Sequence, residues 1–571
     1  MRQKLVIKKL FKNKSFIVTV SILLTFVLLL GVVIYRQRAS AIELTTSASV
    51  MIYGAKGDGI TDDTAAIQKA VNSVNFVYFP GGIYKVSYPI TLRSNVRVHG
   101  ASASSTHIKQ AFNTSDSNKS SEENIFVVRG NYPNFITNVT VDNFTFDGIA
   151  GTDSIIGTAL DVIDGRNIVF SGNTVNNMNL FSSGVHYPIN VWDGTSDPAR
   201  TAGLTNDLQL NYNISVINNT GAITTKSPNR GLAIGIKYSR TVQVSNNRLT
   251  NYNEGLTWWG GDANPSRGGK VGNPRWVKNL TIKNNNVKNT WAGIWGSMGD
   301  GILVDSNYVE RCDDVCLDAE GSNNVTFSNN QAKNAGYAVL ATWHFSNNVN
   351  FVKNTVTQDG SYYKGDKGRN LYSHSNDTNL VGNINIKLES NSLNYTGADG
   401  IGYVTKSASR TFKANLNYLK NVVFKFDQNN SCGFLLTSNT FDLTKNIGNE
   451  SVIYADKVWP DGASAICNAV VQNNQIKSSV NQSSALAGID ISATGYNTTT
   501  DNTISGNSIA GFAKSIHIYG NSGNIGIIEK FHILNNKVSG RIVDNSPKGR
   551  SVNDFSGNVD FSGKIITPVV Q

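Results

Sequence analysis

Residues 312–321 read CDDVCLDAEG and place Asp313, Asp314, Asp318 and Glu320 within ten positions, in a chain where only 16% of residues are charged. Carboxylates at that density can divide acid and base work on one bond, hold a hard cation, or decorate a solvated turn. Spacing separates these uses. Side chains alternate between faces along a strand, so Val315, Leu317 and Ala319 share one face while Asp314, Cys316, Asp318 and Glu320 share the other. With the apolar set inward, Asp318 and Glu320 stand outside with Cα atoms about 7 Å apart. At that range one carboxylate can raise the pKa of its neighbour, so that one keeps a proton and the other does not. Four acids strung along a strand cannot all reach one ion, so no cofactor is expected, with Ca²⁺ the metal these ligand types would admit. A Zn²⁺ set of Cys312, Cys316 and His344 fits an exported chain poorly.

The elements that position this stretch repeat through the middle of the chain. Segments such as RNIVFSGNTVNN, KNLTIKNNNVKN, NNVTFSNNQAKN and NNVNFVKNTVTQ share an apolar–x–apolar unit, a polar step to Asn, and another apolar residue. Taking the second apolar position as marker gives Phe146, Phe170, Val216, Val244, Ile282, Val304, Phe327 and Phe351. The steps fall in the low twenties, or near multiples of that value with insertions. Such a period with alternating short strands describes a solenoid whose coils stack one on the next. A leucine ladder is absent, and Asn recurs where left-handed turns are needed, so a β-helix is expected. One helix is predicted near the start. TDDTAAIQKAVNSV opens on a Thr-Asp-Asp cap and puts Ala66, Ile67, Ala70 and Val71 on one face, suited to closing the end of the coil.

Stacking the coils in register produces columns of side chains about 4.8 Å apart. A 24-residue step puts Asp318 over Thr342 and Glu320 over His344; a 23-residue step back brings Trp295 and Ser297 into the same columns, preceded by Thr257 and Trp259, then Gly235 and Lys237. The outer face thus gathers Asp318, Glu320 and Asp314 with His344 and Trp295. Trp192, Trp258, Trp259, Trp291, Trp295 and Trp343 crowd the same part of the chain, and aromatics clustered on a polar scaffold mark a binding groove. One of Trp258 and Trp259 is expected in the core. The insertion from Trp258 to Trp276 would wall the groove, whereas Asp359 to Asp377 reads as a surface loop.

The formal net charge is +11, but eight positive residues precede position 42 with no acid among them, leaving +3 for the rest. The basic excess is therefore a topology signal and not a nucleic-acid face. Residues 16–35, FIVTVSILLTFVLLLGVVIY, carry no charge and have the length of one membrane-spanning helix. Six positive charges before the segment and two after it keep the N-terminus inside; cleavage after Ala41 is the alternative. Both routes export the remainder, and Cys312, Cys316, Cys432 and Cys467 suit an oxidising compartment with three pairings open. In an extended strand Cys312 and Cys316 would lie too far apart to bridge, so their pairing requires a turn through Asp313 and Asp314. The expected organisation is a basic tail and anchor over 1–41, a linker over 42–50, a cap and first coils over 51–125, and the β-helix with its groove over 126–571.

YGAKGDGITDDTAAIQKAV, from Tyr53 to Val71, followed by VYFPGGIYKVSYPITLRSNVRVHG, resembles the opening signature of the pectin-lyase-like superfamily of right-handed parallel β-helices. The resemblance implies an all-β, single-stranded parallel β-helix over roughly residues 50–540, and a polysaccharide as partner. CDDVCLDAEG also resembles the paired-Asp motif of polygalacturonases, but the Asn-Thr-Asp, Gly-His-Gly and Arg-x-Lys elements of that family are missing. The expectation is an extracellular glycoside hydrolase with Glu320 as proton donor beside His344, Asp318 as base or nucleophile and Asp314 in reserve. Trp295, Trp259, Trp192, Trp343 and Lys237 would contact the sugar. A polysaccharide lyase or epimerase, with His344 and Lys237 as base and cation, is the rival within enzymes. A non-catalytic glycan-binding surface protein is the reading from a different class.

Overall fold

A computed structural model describes residues 47–570 apart from 113–123, 150–156, 187–202, 225–230, 362–365, 375–383, 399, 407–411, 427–433, 456–468, 494–499, 521–528 and 546–552. The hydrophobic segment 16–35, Trp192, Cys432 and Cys467 lie outside the described residues. Among the described residues no helix is long and apolar enough to cross a membrane.

The chain winds as a parallel β-helix whose strands fall into three parallel sheets, here sheets I, II and III, with 18, 17 and 17 strands among the described residues. One coil shows the plan. Gly299–Asp305 lies in sheet I, Tyr308–Cys312 in sheet II and Val315–Glu320 in sheet III, and Asn323–Ser328 then re-enters sheet I beside Gly299–Asp305. Alternation sends the apolar residues of all three sheets into one continuous core running the length of the helix. Phe327 and Phe351, one coil apart, stack with ring centroids 4.8 Å apart.

The recurring Asn pair has a division of labour. In Asn329–Asn330 the first residue takes the left-handed backbone, φ 53°, which Asn tolerates. The second is buried at the turn between sheets I and II. Its Nδ2 donates to Asn354 Oδ1 and to the Val304 carbonyl, both at 2.9 Å. Its Oδ1 accepts from the backbone N–H and Nδ2 of Asn307. The same bonds link Asn173, Asn219, Asn247 and Asn285 in succession and continue through to Asn558.

The predicted N-terminal helix is present over Thr64–Ser73, with Ile67, Ala70 and Val71 buried and Ala66 packed against the core. The marker column holds from Phe170 through Phe351. Its first member was misplaced. Val141, not Phe146, pairs with Phe170, while Phe146 belongs to sheet II beside Val175. VTVDNFTFDG contains two apolar–x–apolar units, and the second belongs to the next sheet. The Asp359–Asp377 segment is not simply a surface loop either. Its Asn370–His374 stretch is a sheet III strand paired with Ala338–Trp343, with Leu371, Tyr372, Ser373 and His374 buried.

Candidate functional site

Sheet III carries the acidic stretch. Two consecutive residues, Cys316 and Leu317, both face the core, so Val315 is turned out into a separate apolar cluster with Ala292, Ala338 and Ala341. This interrupts the simple alternation expected of the strand and corrects the placement of Val315 inside and Cys316 outside. Inward doublets recur on neighbouring coils at Val339–Leu340 and Ala233–Ile234. Cys316 pairs with Cys312 across the Asp313–Asp314 turn, with Cα atoms 5.4 Å apart. The bond removes both sulfurs from any Zn²⁺ set. Among the described residues no group of three or more His, Cys, Asp or Glu side chains is placed to hold a metal ion.

The column order before the acids is as expected. Gly235 and Lys237 pair with Thr257 and Trp259, these with Trp295 and Ser297, and Ser297 with Glu320. The forward step is not. Asp318 pairs with Ala341 and Glu320 with Trp343, one residue short of the expected Thr342 and His344. Two residues connect Glu320 to Asn323, but three connect Trp343 to Asn347, and Asn323 and Asn347 are again in register. The extra residue of the 24-residue step sits in the turn after sheet III. His344 is therefore a left-handed turn residue, φ 59°, beyond the end of its strand. It does not stack on Glu320.

Asp318 is only 2% exposed, and its Oδ1 has no hydrogen-bond partner. Burial first, then the charges of Glu320 and Asp314, push its carboxyl well above the usual carboxylate range, against the pull of the Ala319 N–H. An acid so placed holds its proton at a pH where ordinary carboxylates have lost theirs. Glu320 is partly exposed between Ser297 and Trp343, so the two carboxyls stand in different environments.

Aromatic side chains frame the pair. Trp295 occupies the coil before Asp318 and meets Trp259 edge to face at 6.3 Å. Trp343 lies beside Glu320 and packs on Tyr337 at 5.4 Å. Trp259 also leans on a satellite cluster of Val185, Leu204, Leu210, Tyr238 and Trp276, so it is partly structural. Trp258 is the fully buried member of its pair, donating to Ser322 Oγ at 3.3 Å. The 258–276 insertion does pack beside the site: Ala263 N–H donates to Ser297 Oγ at 3.1 Å and Arg275 Nε to the Gly321 carbonyl at 3.1 Å.

Two contributors, Tyr337 and Glu254, escaped the sequence reading, which named Trp291 only within the tryptophan cluster. Trp291 is 42% exposed, and its carbonyl accepts the Asp314 N–H at 2.8 Å. Tyr337 backs Trp343. Glu254 accepts from Thr257 Oγ1 at 3.0 Å and is raised by burial, opposed by Thr257, Lys237 and the Trp295 indole. Lys237 is lowered by burial, opposed by Asp161 and Glu254. The recurrent inward doublets were the available signal, because they put the residue three before Thr257 on the same outer face.

A family profile described as rhamnogalacturonase A/epimerase, pectate lyase-like, matches residues 47–257, and one described as right-handed beta helix region matches 269–385. These two stretches thus match pectate-lyase-like and right-handed β-helix families, in keeping with the parallel β-helix fold. The preneck appendage protein of Bacillus phage PZA is 33% identical over 158 residues, covering 26% of this chain and 18% of that protein. Mannuronan C5-epimerase AlgE1 of Azotobacter vinelandii is 34% identical over 113 residues, covering 18% of this chain and 8% of the epimerase. This chain thus covers less than a fifth of the length of these relatives. The crystal structure of the pre-mature bacteriophage phi29 gene product 12 superposes with a TM-score of 0.50 at 16% identity, over 90% of this chain and 72% of that one, a likeness of fold alone.

Proposed function

We propose that this protein is an exported glycoside hydrolase acting on a polysaccharide, with Asp318 as proton donor and Glu320 as the second carboxylate. The observation that carries the reading is the buried Asp318 carboxyl, with an unpartnered oxygen, two residues from Glu320 and beside Trp295. Oxocarbenium chemistry needs one carboxyl protonated and the other charged, and the shared strand separates the two by environment. Trp295, Trp343 and Tyr337 offer platforms for the apolar faces of sugar rings. Export rests on the charge-flanked segment 16–35 and is consistent with the Cys312–Cys316 disulfide.

Elimination or epimerisation is the second reading, favoured by the epimerase among the relatives. In that reading His344 would act from the turn one position past Trp343, and Lys237 sits three coils from Glu320. A panel of polysaccharides assayed for new reducing ends tests the first reading. Ultraviolet-absorbing unsaturated products would select the second. Glycan retention by wild type, Asp318→Asn and Glu320→Gln alike, with no turnover in any of them, would instead leave a surface binding protein.

A further inference from the structure

The electrostatics of sheet III point to what the groove accepts, given the reading of that face as a glycan groove. Among the described residues, the lysines and arginines on the sheet III strands from Phe126–Arg129 to Ala338–Trp343 are Arg129 and Lys237, and the neighbouring insertion adds Arg267, Lys270 and Arg275, of which Lys270 is exposed. Arg129 is paired with Asp161 at 2.7 Å, and Asn124 also donates to that carboxylate. The Lys237 side chain runs back over Gly235, where an added Cβ would lie 3.6 Å from Lys237 Cε. This course takes the ammonium into the fields of Asp161 and Glu254. On the neighbouring insertion, Arg275 is bound to the carbonyls of Gly321, Val271 and Asn273 and lies over Phe345, while Arg267 is paired with Asp262. The charges acting on Asp318 are those of Glu320 and Asp314, both negative.

A sugar ring seated against Asp318 would thus meet aromatic faces and carboxylates, with Lys237 in the same columns offset by two acids. A carboxylate on that ring would be repelled, and among the described residues these strands offer it no unopposed counter-charge. An uncharged ring would not meet that repulsion.

We propose that the groove selects glycans that carry no carboxylate over polyuronates, and that Glu254 is a specificity-determining residue because it offsets Lys237. The test uses the full chain as Asp318→Asn, with Glu320→Gln as a second slow variant, so that binding is read without turnover. Several polyuronates are compared with the neutral polymers made by reducing their carboxyl groups, which keeps each backbone and linkage fixed. Affinity electrophoresis should show the neutral member of a pair bound at least about tenfold more tightly at low ionic strength, the gap closing as salt shortens the Debye length. Glu254→Gln should raise polyuronate affinity several-fold and leave the neutral polymer within about twofold. Equal or tighter binding of the polyuronate, or a Glu254→Gln variant with unchanged polyuronate binding, overturns the proposal. Failure to bind or cleave any polymer in either form overturns the glycan-groove reading itself, a distinct result.

Discussion

Two stacks of polar side chains run along the same helix and behave in opposite ways. At the turn between sheets I and II, buried Asn residues from Asn173 to Asn558 donate and accept from coil to coil with their bonding groups matched. On sheet III, equally buried Asp318 sits in a column of Trp295 and Ala341 with an oxygen left over. Burial without a partner is costly, so a satisfied stack is what stability requires, and an unsatisfied member marks a place where stability has been given up. The contrast sets the matched Asn stack apart from Asp318, although buried unpartnered atoms also occur elsewhere, as at Gln358 and Asn502.

The largest expected effect tests the site. Asp318→Asn should lower turnover by about 10²- to 10⁴-fold, measured as reducing ends on the substrate the panel identifies; near-wild-type turnover would end the assignment. Next comes the scaffold. Asn330→Ala removes bonds to Asn354, Val304 and Asn307, and should cost roughly 3–5 kcal/mol, visible as a lowered Tm with little change in the chemistry of the residual folded enzyme.

The two columns should then diverge in the sign of their stability effects. The folded pKa of Asp318 is raised, so ionisation favours the unfolded chain once pH exceeds the ordinary carboxylate range, and that cost is absent below it. Asp318→Asn should therefore increase the unfolding free energy at neutral pH by on the order of 1 kcal/mol or more, read as a raised Tm, with the gain vanishing in acid. A loss of stability at neutral pH would make Asp318 another scaffold residue. The same proton predicts that wild-type turnover falls on the alkaline side as pH rises through the raised pKa of Asp318. Smallest is the platform. Trp295→Ala should weaken glycan binding roughly tenfold, read by affinity electrophoresis with Asp318→Asn as the background.

Much of this was legible beforehand, for physical reasons. The repeats specified stacked coils because alternation and left-handed Asn turns allow few other folds, and the columns from Lys237 to Glu320 keep register because the insertion after Trp259 lies outside the paired strands. What failed were local departures from the average. Doublets such as Cys316–Leu317 break alternation, and the three-residue turn after Trp343 absorbs an insertion that a rigid count carries into the strand. The unequal burial of Asp318 and Glu320 was also hidden, because burial is set by side chains one coil away and not by the strand that bears the acids.

That turn has a wider consequence. Because Asn347 is back in register with Asn323 despite the added residue, length errors at this corner are corrected before the next strand begins. Evolution can therefore lengthen, shorten or rewrite the rim of the groove one corner at a time while the acids stay where they are. Grafting corner segments between related coils would be a direct way to change what the groove admits while leaving the chemistry on sheet III untouched.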